Sequence, residues 1–86
     1  MPRAKKSLGQ HFLANPEYSQ KIVHFAQIGP EDTVVEIGPG TGQLTRVLLS
    51  VARKVVAIEF DRDLVGHLQG RYPDDLDAQR LDIVEA

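Results

Sequence analysis

The sequence has no cysteine among its 86 residues, no long apolar run and no internal repeat. Without cysteine, neither a disulfide framework nor a thiolate zinc cluster can stabilise so short a chain. No segment has the apolar length that a membrane-spanning helix needs, and no apolar signal-peptide core follows the basic amino terminus. These absences exclude the disulfide-rich, integral-membrane and repeat classes. We expect a soluble, cytoplasmic protein with no metal and no membrane partner, since the lack of cysteine also fits a reducing compartment.

Charge divides the chain into two parts. Residues 1–30 carry a net charge of +3, whereas residues 31–86 carry −5, which gives −2 for the whole chain. We interpret residues 1–30 as a basic arm with a capping helix, and residues 31–86 as the first half of a nucleotide-binding α/β domain. A basic arm of this size is typical of a solvated tail or of a contact to a phosphate backbone, and both interpretations stay open.

The apolar pattern predicts an α/β fold with a parallel sheet. Continuous apolar runs at 34–35 and 55–58 predict strands buried on both faces, and residues 76–81 predict a third strand. Such a sheet needs helices on each face and usually more than three strands. We therefore expect these residues to belong to a longer protein, and to form a marginal or self-associating domain when alone.

Helices are predicted between the strands and before them. Asn15 as cap and Pro16 at the first helical position predict a helix start. Its apolar face is expected to pack on the sheet through Tyr18, Ile22, Phe25 and Ala26.

A second helix is predicted from about Leu44, with a core face of Leu44, Val47, Leu48 and Val51. A third is predicted to begin after Asp61 as cap, with Asp63 in its first turn. His24 and His67 fall in these helices without a partner at ligand spacing, so we interpret both as structural.

A glycine-rich loop joins the first strand to the following helix. Residues 36–42 read E-I-G-P-G-T-G, and glycines at alternate positions allow a sharp turn and close approach of a ligand. A dinucleotide fingerprint would place its third glycine at position 43, where the chain has Gln43. Pro39 removes an N–H donor and Glu36 adds a carboxylate, so a pyrophosphate would be bound poorly. The loop favours a cationic ligand such as S-adenosylmethionine, with a glycine-rich turn without ligand as the alternative.

Two further acidic residues are candidates for the same site. Glu59 ends the second predicted strand, 21 positions after Gly38, and can accept hydrogen bonds from both hydroxyls of a ribose. Asp82 is predicted to close the third strand, beside the first strand, where it could accept from the exocyclic amine of an adenine. The alternatives are a solvated strand-end carboxylate for Glu59 and a turn residue for Asp82.

Three stretches together resemble the family of ribosomal RNA adenine dimethyltransferases that act on the small subunit. They read K-K-S-L-G-Q-H-F-L at 5–13, V-E-I-G-P-G-T-G-Q-L-T at 35–45 and I-E-F-D-R-D-L at 58–64. The resemblance covers essentially the whole chain in the right order. It implies the amino-terminal part of a Rossmann-like, class I S-adenosylmethionine-dependent methyltransferase. The implied activity is dimethylation of the exocyclic amines of two adjacent adenines near the end of small-subunit ribosomal RNA, in ribosome biogenesis.

The resemblance also implies which residues touch the cofactor. In the loop and at the strand ends these are Gly38, Glu59 and Asp82, and Gly40 belongs to the same loop. His11 and Leu13 rest on the resemblance alone, because the pattern around them points to no function. The family's target-base motif, of the Asn-Leu-Pro-Tyr type, follows a fourth strand that this chain does not contain. We therefore expect no catalytic residue here and no methylation by these 86 residues alone.

The resemblance further implies the partner and leaves two alternatives. The partner is small-subunit ribosomal RNA within the immature small ribosomal subunit, and the full-length protein is expected to be a monomer. One alternative is the related large-subunit ribosomal RNA methyltransferase that confers macrolide resistance, although Gly9 and Pro39 favour the small-subunit enzyme. The other is a non-catalytic nucleic-acid-binding relative of the fold, which a degraded target-base motif downstream of Ala86 would indicate.

Overall fold

The structure is a computed structural model that describes residues 16–86, with three strands and four helices in that range. In chain order the elements are α1 (Pro16–Phe25), β1 (Thr33–Ile37), α2 (Gln43–Val51), β2 (Lys54–Glu59), α3 (Arg62–Arg71), α4 (Pro73–Asp77) and β3 (Leu81–Glu85). Of the predicted unit at residues 1–30, residues 1–15 lie outside the described residues, and with them the cap at Asn15 and the candidates His11 and Leu13. Within residues 16–86, no helix has the length and apolar character to cross a membrane.

The three strands form one parallel sheet in the order β1-β2-β3, which confirms the predicted fold class. In the register, Val34 lies beside Val55, which in turn lies beside Leu81. Because the strands are parallel, their carboxyl ends meet at one edge of the sheet, the edge at which open α/β sheets bind ligands. Glu59 ends β2 at that edge, opposite Glu85 of β3.

The core lies on one face of this sheet. Helices α2 and α3 each connect two neighbouring strands, and each contributes a nearly inaccessible leucine to one apolar cluster: Leu48 from α2 and Leu68 from α3. Val55 and Leu81 meet them from the sheet. Burying one such side chain stabilises the fold by roughly 1.5–3 kcal/mol. The predicted core face of α2 is confirmed, since Leu44, Val47 and Val51 also pack against this cluster.

The opposite face of the sheet is open among the described residues. Side chains alternate along a strand, so Val35 and Ile37 point away from the core, and they are 58% and 70% exposed. Val84 extends the same apolar surface on β3. The sequence predicted strands buried on both faces. Among the described residues only one face of the sheet is covered, because α2 and α3 both pack on that face.

Helix α1 has a different buried face from the predicted one. It begins at Pro16 as predicted, but it packs mainly against α2, through Ser19 and Val23. The predicted sheet-facing residues are largely exposed; these are Tyr18, Ile22, Phe25 and Ala26. The prediction was wrong because a helix that lies on another helix buries a narrow stripe, here two residues spaced by four.

The third strand also lies elsewhere than predicted. Residues 76–81 were predicted as the strand, whereas the structure has α4 over Pro73–Asp77 and starts β3 at Leu81. Proline at the first position of a helix, followed by Asp74 and Asp75 in its first turn, favours a short helix there. The predicted neighbours were wrong too, because β3 lies beside β2 and not beside β1.

Candidate cofactor-binding site

The glycine loop lies between β1 and α2, at the carboxyl edge of the sheet. Gly38, Gly40 and Gly42 all have positive φ, between 61° and 92°, a region that other residues adopt only with strain. The turn is closed by the amide of Gly42, which donates to the carbonyl of Pro39 at 3.0 Å. A Cβ added at Gly38 or Gly40 would meet nothing within 4 Å. The outer side of the loop is therefore open to a ligand.

Glu59 holds this loop through its carboxylate. Its side chain is 5% exposed, and Oε1 accepts from the amide of Gly40 at 3.0 Å. Oε2 accepts from the amides of Phe60 at 2.9 Å and Asp61 at 3.0 Å. A carboxylate offers about four lone-pair positions, so these three bonds leave about one, on Oε1. Acceptance from both hydroxyls of a ribose thus requires one of these bonds to be exchanged.

Glu36 is a second buried carboxylate beside Glu59. It is 7% exposed, and the hydroxyl of Thr45 donates to its Oε1 at 2.5 Å. Burial raises the pKa of Glu36, the hydrogen bond from Thr45 lowers it, and the nearby charge of Glu59 raises it further. The two carboxylates make the floor of the loop acidic, and an added positive charge would relieve their repulsion.

Arg71 and Tyr72, at the carboxyl end of α3, contact the other side of the loop. No pattern in the sequence pointed to either residue. Arg71 Nη1 donates to the carbonyl of Thr41 at 2.7 Å. The buried hydroxyl of Tyr72 donates to the carbonyl of Gly42 at 2.8 Å. A Cβ at Gly42 would lie 2.9 Å from Leu68 Cδ2 and 3.1 Å from Tyr72 Cε2. The third glycine is thus required by close packing as well as by its positive φ.

The whole chain is similar in sequence to one family of known proteins. The family model described as "Ribosomal RNA adenine dimethylase" matches residues 1–86. The chain belongs to the ribosomal RNA adenine dimethylase family. It is 44% identical over 85 residues to ribosomal RNA small subunit methyltransferase A of Thermosynechococcus vestitus, covering 99% of this chain and 31% of that protein. The chain therefore spans about a third of the length of this curated relative.

Two solved structures share the fold. A dimethyladenosine transferase from Plasmodium falciparum matches with a TM-score of 0.71 and 36% identity, over 84% of this chain and 26% of that one. The 23S rRNA methyltransferase ErmE matches with a TM-score of 0.70 and 32% identity, over 84% of this chain and 28% of that one. The fold is that of the class I methyltransferases, as the resemblance implied.

Asp82 does not lie where its predicted role in this adenine dimethylase chain requires. It is the second residue of β3, in register with Val56, and its carboxylate pairs with Lys54 Nζ at 3.1 Å. It therefore lies three residues before the carboxyl end of the strand, about 10 Å from that edge at the usual rise of a strand. The strand-end placement was wrong because it depended on the predicted strand at 76–81.

The remaining candidates have no role in the described site. His24 and His67 are both exposed, and residues 16–86 contain no cluster of side chains that could hold a metal ion. A groove of about 780 Å³ lies between α1 and α2, lined by residues that include Val23, His24 and Arg46. None of its lining residues belongs to the glycine loop or is Glu59. We place the candidate site at the loop because the acidic side chains converge there.

Proposed function

We propose that the protein containing this chain is an S-adenosylmethionine-dependent methyltransferase that dimethylates two adjacent adenines near the end of small-subunit ribosomal RNA, during ribosome biogenesis. The observation that carries the proposal is the bond from the Gly40 amide to the Glu59 carboxylate, 3.0 Å long, at the carboxyl edge of the sheet. This hydrogen bond joins the glycine loop to Glu59, an acidic residue at the end of the second strand, where such folds bind a ribose. The chain belongs to the adenine dimethylase family. The proposed cofactor contacts are His11, Leu13, Gly38, Gly40 and Glu59.

The hydrogen bonds of the loop support a cationic cofactor over a pyrophosphate. A phosphate-binding loop presents free backbone N–H groups, but Pro39 has none, and those of Gly40 and Gly42 already donate within the protein. The two buried carboxylates, Glu36 and Glu59, add negative charge behind the loop. A sulfonium and an ammonium group fit this environment, whereas a dinucleotide would bring further negative charge to it.

The chemistry proposed is an in-line displacement. The exocyclic nitrogen of adenine forms a bond to the methyl carbon while the carbon–sulfur bond breaks, its electron pair stays on sulfur, and the nitrogen releases a proton to solvent. The described residues contribute binding and orientation: Glu59 holds the loop and accepts from the ribose, and the loop glycines allow close approach. Holding donor and acceptor in attack geometry can lower the barrier of such a reaction by about 7–11 kcal/mol. The target base must also leave its stack, and the pocket proposed to receive it lies outside these 86 residues.

The alternative acceptor is large-subunit ribosomal RNA, since ErmE shares the fold. The small-subunit proposal rests on the resemblance around Gly9 and Pro39, and on the similarity to the small subunit methyltransferase of Thermosynechococcus vestitus. The partner proposed is the immature small ribosomal subunit, with the full-length protein acting as a monomer in the cytoplasm.

The test is methyl transfer by the full-length protein that contains this chain. Labelled S-adenosylmethionine is supplied with immature small subunits or, separately, with large-subunit ribosomal RNA, and dimethyladenosine is measured by mass spectrometry. We expect labelling of two adjacent adenines in the small subunit alone. Labelling of the large subunit instead would favour the alternative enzyme. Nucleic-acid binding without any transfer would favour the non-catalytic relative. The 86 residues alone are expected to transfer no methyl group.

A further inference from the structure

Helix α3 is linked to the glycine loop at both of its ends, directly at its carboxyl end and through Glu59 at its amino end. At its amino end, Asp61 caps the helix by accepting from the amide of Asp63 at 2.9 Å, and the Asp61 amide donates to Glu59. The other oxygen of Glu59 accepts from Gly40. At the carboxyl end of the helix, Arg71 and the following residue donate to loop carbonyls. The loop is thus fixed on its N–H side through one end of α3 and on its carbonyl side through the other.

We propose that Arg71 and Tyr72 are positioning residues for the cofactor loop: by donating to the carbonyls of Thr41 and Gly42, they fix the orientation of the peptide groups that a cofactor meets. In a trans peptide, the carbonyl of one residue and the N–H of the next point in opposite directions. A carbonyl of Gly42 that is held by Tyr72 therefore directs the amide of Gln43, the first residue of α2, away from Tyr72. This inference rests on the function proposed above.

The environment of Tyr72 suits it to this task. Its side chain is buried, its ring lies against Gly42, and the guanidinium of Arg71 lies 5.7 Å from the ring centre. Burial raises the pKa of Tyr72, although the charges of Arg71 and Arg46 oppose this, so the phenol keeps its proton at neutral pH and remains a donor. The carbonyl of Gly42 also accepts from the amide of Arg46 at 3.0 Å, and this is the first backbone hydrogen bond of α2. Tyr72 therefore adds a second donor to an oxygen that fixes both the loop and the helix.

The test uses Tyr72→Phe and Arg71→Gln in the full-length protein. Tyr72→Phe keeps the ring against Gly42 and removes only the donor. The matched controls are Tyr18→Phe on α1 and Arg62→Gln at the opposite end of α3. From the usual worth of one hydrogen bond, we expect each test variant to raise the Kd for S-adenosylmethionine by about three- to tenfold. We expect each control to stay within about twofold. For the rate of methyl transfer, KM for the cofactor should rise while kcat stays unchanged.

A second readout separates loop positioning from general stability. Amide hydrogen exchange, measured without cofactor, should become faster at residue 38 and residues 40–43 in Tyr72→Phe while the amides of β2 exchange as before. Equal acceleration throughout the protein, or an unchanged loop and an unchanged Kd, would overturn the proposal. If the wild-type protein binds no S-adenosylmethionine, the proposed function fails, while loop exchange still decides whether these two residues hold the loop.

Discussion

At the scale of single residues, Gly42 shows why the loop needs glycine at particular positions. All three loop glycines have positive φ, but only Gly42 lies against other side chains, those of Leu68 and Tyr72. Gly38 and Gly40 instead leave open space. The same backbone requirement thus serves two purposes, since one glycine permits packing and the other two leave room for a ligand.

Gly42→Ala should destabilise the protein by about 2–3 kcal/mol, because a side chain at positive φ and a contact of 2.9 Å both add cost. Gly66→Ala is the matched control. Gly66 lies inside α3 with nothing near its Cβ, so alanine there should stabilise by about 0.5–1 kcal/mol. Urea unfolding of both variants checks this expectation. Equal effects of the two changes would show that neither the positive φ nor the close contact makes glycine necessary at position 42.

Glu36 predicts a dependence of stability on pH. Because its pKa is raised above the ordinary value of 4.5 in the folded protein, the folded state holds this proton to higher pH than the unfolded state does. The contribution of Glu36 to stability is therefore complete below that ordinary value and is lost as pH rises through the raised pKa. Glu36→Gln keeps a neutral partner for Thr45, so the variant should gain stability relative to wild type over that pH range.

Unfolding free energies measured across the acidic to neutral range, with the exposed Glu31→Gln as control, check this prediction. A difference between Glu36→Gln and wild type that stays constant with pH would show that burial does not perturb Glu36. The control separates the effect of Glu36 from that of removing one exposed carboxylate.

Predictions from the sequence placed single residues correctly in the fold where the pattern was local. The loop glycines and Glu59 were identified because a glycine pattern, a strand end and a fixed spacing occur in the sequence itself. Whether they bind a cofactor stays a prediction. Tyr72 and Arg71 were missed because their role depends on the return of α3 to a loop 30 residues earlier. No local pattern encodes that contact.

At the scale of helices and strands, Arg80 joins three elements. Its Nη1 pairs with Asp75 of α4 at 2.9 Å. Its Nη2 donates to the carbonyl of Leu49 and, at 3.2 Å, to that of Ala52. The last carbonyls of a helix lack partners within it, so the guanidinium satisfies the end of α2 and favours its dipole. Arg80 thereby fixes the approach to β3.

Arg80→Gln should lower the free energy of unfolding by about 1.5–3 kcal/mol, the usual worth of hydrogen bonds to a charged group. Arg53→Gln, on the exposed turn after α2, should change it by less than about 0.5 kcal/mol. Thermal unfolding of the two variants provides the measurement. A loss as large for Arg53 as for Arg80 would rule out a specific role for Arg80.

The elements also show where sequence patterns fail. β1, β2, α2 and the capped start of α3 follow the predicted pattern, because runs of apolar residues and a capping aspartate act locally. The prediction of a third strand at residues 76–81 was wrong because the pattern there did not reveal the short helix that begins at Pro73. The prediction of the buried face of α1 was wrong because α1 packs on another helix, and apolar periodicity alone does not specify which residues that packing buries.

At the scale of the whole molecule, the described residues form one layer of helices on a sheet whose other face is open. Val35 and Ile37 lie on that open face, and parallel sheets normally have both faces covered. The candidate site lies at the carboxyl edge of the same sheet, with an acidic floor of Glu36 and Glu59. The glycine loop and both buried carboxylates therefore lie at the edge where open α/β sheets bind nucleotide-type ligands.

A calorimetric titration of the protein with S-adenosylmethionine and, separately, with NAD tests whether the glycine loop binds a methyl donor. We predict binding of S-adenosylmethionine alone, weakened at least about tenfold in a folded Glu59→Gln variant and unchanged in Glu31→Gln. The loss follows because the amide that replaces the carboxylate turns a donor toward backbone donors and the ribose. Binding of NAD, or S-adenosylmethionine binding that ignores Glu59, would contradict the assignment of this loop to a methyl donor.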